Sequence, residues 1–315
     1  MTKSAFFRLS PLLILGFLNA ILWSDLTAVL AQVHKGSATI VQTTTESRQN
    51  ISAFNLDFNA APYIPAGLER TDNPNEGGRG IILPSDDRVP MTSASYPWSA
   101  IGRVEGLKAS GERYICTGAL ITPEIVLTNA HCVYDPATQQ ISQVIRFMPN
   151  LVNGQLQAEE DAVFAIDAYA ATNFSDGRTL PHPDDWALLK LEKSLGSRYG
   201  TIGLANITSE TLVTDYQGKL ALPGYSFDFP VDNPSETAGV HLGCSIVKEV
   251  DGVFVHDCDT RGGSSGGPIL AEIDGGVRIV AVNSAEYANR ETGVGLENYG
   301  VPISRIMTAV EQAAR

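Results

Sequence analysis

The chain has 315 residues, 43% of them apolar, with a formal net charge of −13 at pH 7. That length can bury a large core, and that charge disfavours nucleic acid or an anionic membrane surface as a partner. The sequence holds no phosphate loop, no His-Glu-x-x-His helix, no internal repeat and no heptad run, which sets aside the corresponding phosphate, zinc, solenoid and coiled-coil readings.

In chain order, residues 1–31 read as an export signal. Lys3 and Arg8 precede an apolar run over 11–23 that is short for a bilayer span, and Val29-Leu30-Ala31 offers small residues at a cleavage site. Residues 32–80 are rich in Thr, Ser, Asn, Gly and Pro without a long apolar period, and are expected to be a propeptide. Its last part, 72–80, is expected to be an exposed, turn-rich linker that a processing protease reaches, cutting after Gly80 or, alternatively, after Arg79. The body is then 81–315. Short β-prone runs at 119–122, 125–128, 144–147, 187–191 and 277–282, separated by Gly, Pro, Asn and Asp turns, predict an all-β body. Ile303, Ile306, Met307 and Val310 recur at helical spacing and predict a C-terminal amphipathic helix.

Three segments carry chemistry: Thr128-Asn129-Ala130-His131-Cys132, Asp185-Trp186-Ala187-Leu188 and Gly262-Gly263-Ser264-Ser265-Gly266-Gly267-Pro268. A serine oxygen is a poor nucleophile at neutral pH. It needs an imidazole to take its proton and a buried carboxylate to fix the imidazole tautomer. His131, Asp185 and Ser265 fit those roles, and the Gly-x-Ser-Gly-x-Pro register selects Ser265 over Ser264. Glycines around Ser265 let the amides of Gly263 and Ser265 converge on a developing oxyanion. Activity is expected to fall as His131 protonates, because an imidazolium accepts no proton. His182 and His256 lie near these segments and are expected to be surface or supporting residues.

With these motifs the chain resembles the chymotrypsin-like serine proteases, and within them the bacterial glutamyl endopeptidase branch. Cys116-Thr117-Gly118-Ala119-Leu120, Gly224-Tyr225, Asn298-Tyr299-Gly300-Val301-Pro302 and Ile81-Ile82-Leu83-Pro84-Ser85-Asp86-Asp87-Arg88 extend the likeness. The resemblance implies two packed antiparallel β-barrels, with His131 and Asp185 from the first and Ser265 from the second. It also implies a secreted endopeptidase, extracellular or periplasmic, that is made as a zymogen and cuts proteins or peptides through an acyl-enzyme. No cofactor, metal or membrane partner is expected after signal removal, and the chain is expected to be a monomer. A catalytically silent binding module on the same scaffold is the alternative, although no triad member is missing. Ser264 stands where digestive enzymes carry an aspartate, so activation by an ion pair at that position is not expected.

Four cysteines allow three pairings. Cys116 and Cys132 match the family's bridge beside the histidine, while Cys244 and Cys258 flank an expected hairpin before the nucleophile; a metal site lacks the Cys-x-x-Cys spacing. By register with the family, Asp259, Thr260, Asn283, Ser284 and Glu286 line the pocket for the side chain before the scissile bond. The glutamyl branch holds a substrate carboxylate with a threonine, here Thr260, a histidine, here replaced by Asn283, and the mature terminal amine, here Ile81. Asp259 or Glu286 facing the pocket favours Arg or Lys instead, so acidic and basic preferences both stay open.

Overall fold

The computed structural model describes residues 51–75, 86–288 and 295–313, all within one compact unit, Thr43–Arg315. The expected signal peptide and Ile81 lie outside the described residues.

After β1 (Arg88–Pro90) the chain builds a closed barrel from β2 (Ile101–Leu107), β3 (Arg113–Leu120), β4 (Ile125–Thr128), β5 (Val144–Pro149), β6 (Val163–Ala170) and β7 (Ala187–Leu191), joined in the order β2-β3-β4-β7-β6-β5. The runs predicted at 125–128 and 187–191 are β4 and β7 in full, paired with each other from Ile125–Lys190 to Thr128–Ala187. Ile125-Val126-Leu127-Thr128 is buried at every position, because both faces of the strand are covered. That explains a continuous apolar run where an alternating one marks a half-exposed strand. The run at 119–122 ends earlier than predicted. β3 stops at Leu120, and the Ile121 and Thr122 amides turn to the Ile125 carbonyl.

Two short helices, α1 (Gly196–Tyr199) and α2 (Ser209–Asp215), flank β8 (Gly203–Leu204). The second half follows with β9 (Leu220–Gly224), β10 (Gly239–Cys244), β11 (Ile246–Val250), β12 (Val253–His256), β13 (Pro268–Ile273), β14 (Gly276–Ala288), β15 (Gly295–Pro302) and α3 (Ile303–Ala313). Its strands form a nine-stranded sheet in the order β1-β10-β9-β13-β14-β15-β12-β11, with β8 beside β14 in the one parallel pairing among these strands. The described pairings run this half as a sheet path from β1 to β11, whereas the first half closes on itself. Asp251-Gly252 and Asp274-Gly275 turn two of its hairpins with positive φ at both residues, the geometry that matches strand twist.

One apolar core runs from Ile101, Leu127 and Leu188 of the barrel to Leu270, Ile279 and Ile306 of the second half. In α3, Ile303 and Ile306 are fully buried, which gives the predicted helix its inner face. Disulfides join Cys116 to Cys132 and Cys244 to Cys258. The first closes a loop with a sequence separation of 16, worth ~3 kcal/mol in the chain-entropy picture.

Residues 51–75, within the expected propeptide, pack against the body. Ile51 and Phe54 are buried in the shared core, with Leu56, Phe58 and Leu68 packed against it. Asp72 and Asn73 are exposed as predicted, but Pro74 is buried and its carbonyl accepts the Thr92 and Ser93 amides. Periodicity gave no warning because this segment is tied down by isolated anchors and backbone bonds.

Candidate active site

His131 lies in a single turn, Ala130–Cys132, directly after β4, and Asp185 lies two residues before β7. Because β4 and β7 are paired neighbours, the two residues meet at one end of the barrel. The His131 amide donates to Asp185 Oδ1 at 2.9 Å, and His131 Nδ1 is 2.8 Å from Oδ2. Ser284 Oγ donates to the same Oδ2 at 2.6 Å, and the Asn129 side-chain amide donates to the Asp185 carbonyl at 2.6 Å. Asp185 is fully buried. An ionised carboxylate only accepts, so Nδ1 carries the hydrogen and, in the neutral ring, Nε2 keeps its lone pair. The Cys116–Cys132 bridge ties this turn to β3.

Ser265 comes from the second half, in the loop between β12 and β13. Its carbonyl accepts the Thr117 amide of β3 at 2.7 Å and lies 4.0 Å from Cys132 Sγ, so the candidate nucleophile loop abuts the histidine turn. Ser265 Oγ is 3.5 Å from the Ser284 carbonyl. Ser284, on β14, therefore touches both Asp185 and Ser265. Two glycines make the loop possible. Gly266 has φ +84°, and a Cβ there would sit 2.1 Å from the Thr117 carbonyl oxygen; Gly263 has φ +99°, with a Cβ 2.4 Å from the Tyr225 carbonyl oxygen.

The Gly262 carbonyl accepts the Phe227 amide at 2.9 Å. A trans peptide aims its N–H opposite to its carbonyl, so this bond turns the Gly263 N–H away from Phe227. Neither the Gly263 nor the Ser265 amide has an acceptor among the described residues. Two free amides beside a serine can hold an oxyanion.

Sequence reasoning missed Thr117. Its hydroxyl donates to the Gly263 carbonyl at 3.0 Å and accepts the Tyr225 amide at 2.9 Å, while its carbonyl accepts Thr128 Oγ1 at 2.8 Å. The Cys116-Thr117-Gly118 motif was legible, but which backbone groups the side chain meets depends on the other half of the molecule.

The predicted pocket residues divide. Asn283 Nδ2 donates to Thr260 Oγ1 and to the Ser264 carbonyl, both at 3.0 Å, and its Oδ1 is 3.1 Å from His256 Nε2. A carbonyl can only accept, which fixes the amide orientation and makes His256 Nε2 the donor. Both Asn283 hydrogens are consumed, so it has none left for a substrate. Thr260 accepts from Asn283, and its own hydroxyl hydrogen has no acceptor among the described residues. His256 is buried, not on the surface, and burial holds its pKa down to about 4. His182 is buried as well, 3.0 Å from Asp176 Oδ2.

Asp259 is engaged elsewhere. Its carboxylate accepts the Asp87 amide at 2.7 Å, and its own amide donates to His241 Nδ1 at 2.7 Å, which leaves that nitrogen unprotonated. Glu286 is exposed, with Arg261 Nη1 at 3.9 Å; partial desolvation raises its carboxyl pKa and Arg261 opposes the rise. Arg88, also unforeseen, is buried between Asp86 (2.6 Å) and Asp228 (2.9 Å) and donates to Ser226 Oγ at 2.8 Å. It pins the start of β1 onto the pocket half. Among the described residues, the cysteines in two candidate metal clusters are consumed by disulfides, and the third cluster is Asp87, His241 and Asp259.

A closed six-stranded barrel apposed to a second β sheet defines a chymotrypsin-like fold, and the His-Asp pair and glycine-framed serine between them form a candidate serine protease site. The Trypsin family model matches residues 87–222, a span that includes His131 and Asp185. A glutamyl endopeptidase of Bacillus licheniformis is 26% identical over 192 residues, covering 61% of this chain and 55% of the relative. A phenoloxidase-activating enzyme of Bombyx mori is 27% identical over 62% of this chain and 42% of its own length. The chain thus spans about half the length of the curated relatives it matches. Among solved structures, a Glu endopeptidase in complex with MPD superposes with a TM-score of 0.57 at 20% identity, over 75% of this chain and all of the other. The protease Anisep from Arthrobacter nicotinovorans gives 0.53 at 21%, over 69% of this chain and 96% of the other; both show the shared fold. By these matches the chain is similar to the trypsin-like serine proteases, a glutamyl endopeptidase among them.

Proposed function

We propose that this chain is a secreted serine endopeptidase, made as a precursor, processed near Ile81, and selective for glutamate before the scissile bond. Ser265 Oγ attacks the peptide carbonyl while His131 Nε2 takes its proton. The tetrahedral oxyanion rests on the Gly263 and Ser265 amides. His131 then gives the proton to the leaving amine, and Asp185 stabilises the imidazolium in between. Water attacks the acyl-enzyme with His131 again as base. The observation that carries this reading is the buried Asp185 carboxylate, bound by the His131 amide, His131 Nδ1 and Ser284 Oγ, with Ser265 beside the same Ser284.

The preference for glutamate rests on the direction of the hydrogen bonds. Asn283 orders Thr260 so that it presents a donor, which suits a side chain ending in an acceptor. The Asp259 carboxylate, the main argument for a basic preference, already binds the Asp87 amide. A terminal amine at Ile81 is six residues from Asp87, about 20 Å of extended chain, and so has the reach to approach Thr260 and supply positive charge. Cleavage-site profiling of the processed enzyme on a denatured protein mixture tests both parts. Cuts after glutamate are expected. Cuts after lysine or arginine overturn the preference while sparing the mechanism, and no cuts that depend on Ser265 overturn the mechanism.

A further inference from the structure

The segment 51–75 is bound to the body by apolar, backbone and charged contacts. Three sorts recur along it. Its apolar anchors are Ile51 and Phe54, which are 2% and 6% exposed and share the core with Ile303 and Ile306 of α3. The Phe54 ring lies 6.5 Å from Tyr169 of β6, and Tyr169 lies 5.4 Å from Trp186, the neighbour of Asp185 in sequence. Backbone bonds come next. Tyr63 and Thr201 exchange amide-to-carbonyl bonds of 3.1 and 2.8 Å, the Tyr96 amide donates to the Glu69 carbonyl at 2.8 Å, and the Thr71 amide donates to the Tyr96 carbonyl at 2.9 Å. Charged clamps complete the set. Arg70 Nη1 donates to the Gly275 carbonyl at 2.6 Å while its Nη2 lies 3.3 Å from Glu272, and Arg278 Nη1 donates to the Ala60 carbonyl at 3.0 Å.

The body is also shaped to receive this segment. Gly200 has φ +80°, and a Cβ there would lie 2.9 Å from the Tyr63 carbonyl oxygen. Anchors fall on the barrel side at Tyr96 and Tyr169 and on the sheet side at Gly275 and Arg278, so one stretch of chain ties the two halves together. Among the described residues, no hydrogen bond or ion pair of this segment reaches His131, Asp185, Ser265 or Thr260. It braces the enzyme without plugging the site.

We infer that residues 51–75 remain bound after processing, as the non-covalent second chain of the mature enzyme. The inference rests on the processing near Arg79–Ile81 proposed above. Removal of the segment would expose Ile51 and Phe54, together with the core surface they cover, and would leave the Tyr96, Thr71 and Ala60 backbone bonds unmade, each a loss to the folded state.

The test separates retention from processing. Full-length chain carrying Ser265→Ala, which cannot cut itself, is given a recognition sequence for an added specific protease in place of residues 76–80. It is cleaved and passed over a sizing column in native buffer, then in denaturant. The expected result is a single native peak that mass spectrometry resolves into equal amounts of both fragments, which separate only in denaturant. A native peak of the 81–315 fragment without its partner overturns the inference. The same cleaved chain with Phe54→Asp is expected to shed its upstream fragment, and retention equal to the parent also counts against the proposed anchor. N-terminal sequencing of the unaltered secreted protein reports separately on the processing site. A start well before Arg79 defeats that reading and leaves the engineered cut as the test of the brace.

Discussion

The barrel half and the sheet half of the site are stabilised in different ways. Asp185 takes two of its three side-chain bonds from His131, its own strand neighbour in a closed barrel, and one from Ser284 across the cleft. The Ser265 loop depends on the other half far more. The Thr117 amide holds the Ser265 carbonyl and the Thr117 hydroxyl holds the Gly263 carbonyl. The proposed base is therefore built locally, whereas the proposed oxyanion loop is built across the interface. Damage to the first should alter chemistry with the loop intact, and damage to the second should alter loop geometry with the base intact.

The largest expected effect lies on the barrel side. Asp185→Asn should lower turnover by about 10⁴-fold with little change in KM, because the wrong imidazole tautomer then faces Ser265. Steady-state kinetics showing a loss under tenfold would break the assignment of Asp185. Across the interface, Thr117→Val keeps the volume and removes the hydroxyl. Turnover should fall by about 10–100-fold, less than the ~10²–10³ for deleting an oxyanion donor outright. If the double variant Asp185→Asn/Thr117→Val shows the product of the two losses, the halves are energetically separate. A much smaller combined loss would mean that they act as one unit.

The pocket sharpens the contrast. Thr260→Val should cost substrates with glutamate before the scissile bond about 100-fold in kcat/KM and leave apolar ones near wild type, since only an acceptor side chain uses the hydroxyl. Equal losses for both would place Thr260 in the scaffold alone.

The smallest effect is on stability. Burial holds His256 neutral down to about pH 4, whereas an unfolded imidazole begins to bind protons near its ordinary value of 6.5. The unfolded state therefore binds more protons in between, and stability is lost as pH falls through that window, by ~3 kcal/mol in total. His256→Gln retains a donor for Asn283 and removes the titration. Denaturant melts of the variant should show a shallower fall from pH 6.5 to 4 than those of the wild type, and parallel curves would refute the role of His256.

Legibility in the sequence follows the same division. β4, β7 and α3 were readable because burial on both faces, or on one helical stripe, leaves a local apolar signature. The three candidate catalytic residues were readable because each sits in a motif. Thr117 as a support, the saturation of Asn283 and the turning of Asp259 toward Asp87 were not, because each depends on a partner at least 19 residues away. The packing of residues 51–75 escaped for another reason: Ile51, Phe54 and Pro74 are isolated contacts that make no period.

Labelling by a fluorophosphonate tests most directly whether the two halves assemble a working nucleophile. The processed wild type should carry a single adduct, located by mass spectrometry on Ser265, and Asp185→Asn should label at least 100-fold more slowly. Absence of an adduct, an adduct on Ser264, or equal labelling rates in the two proteins would contradict the proposed mechanism.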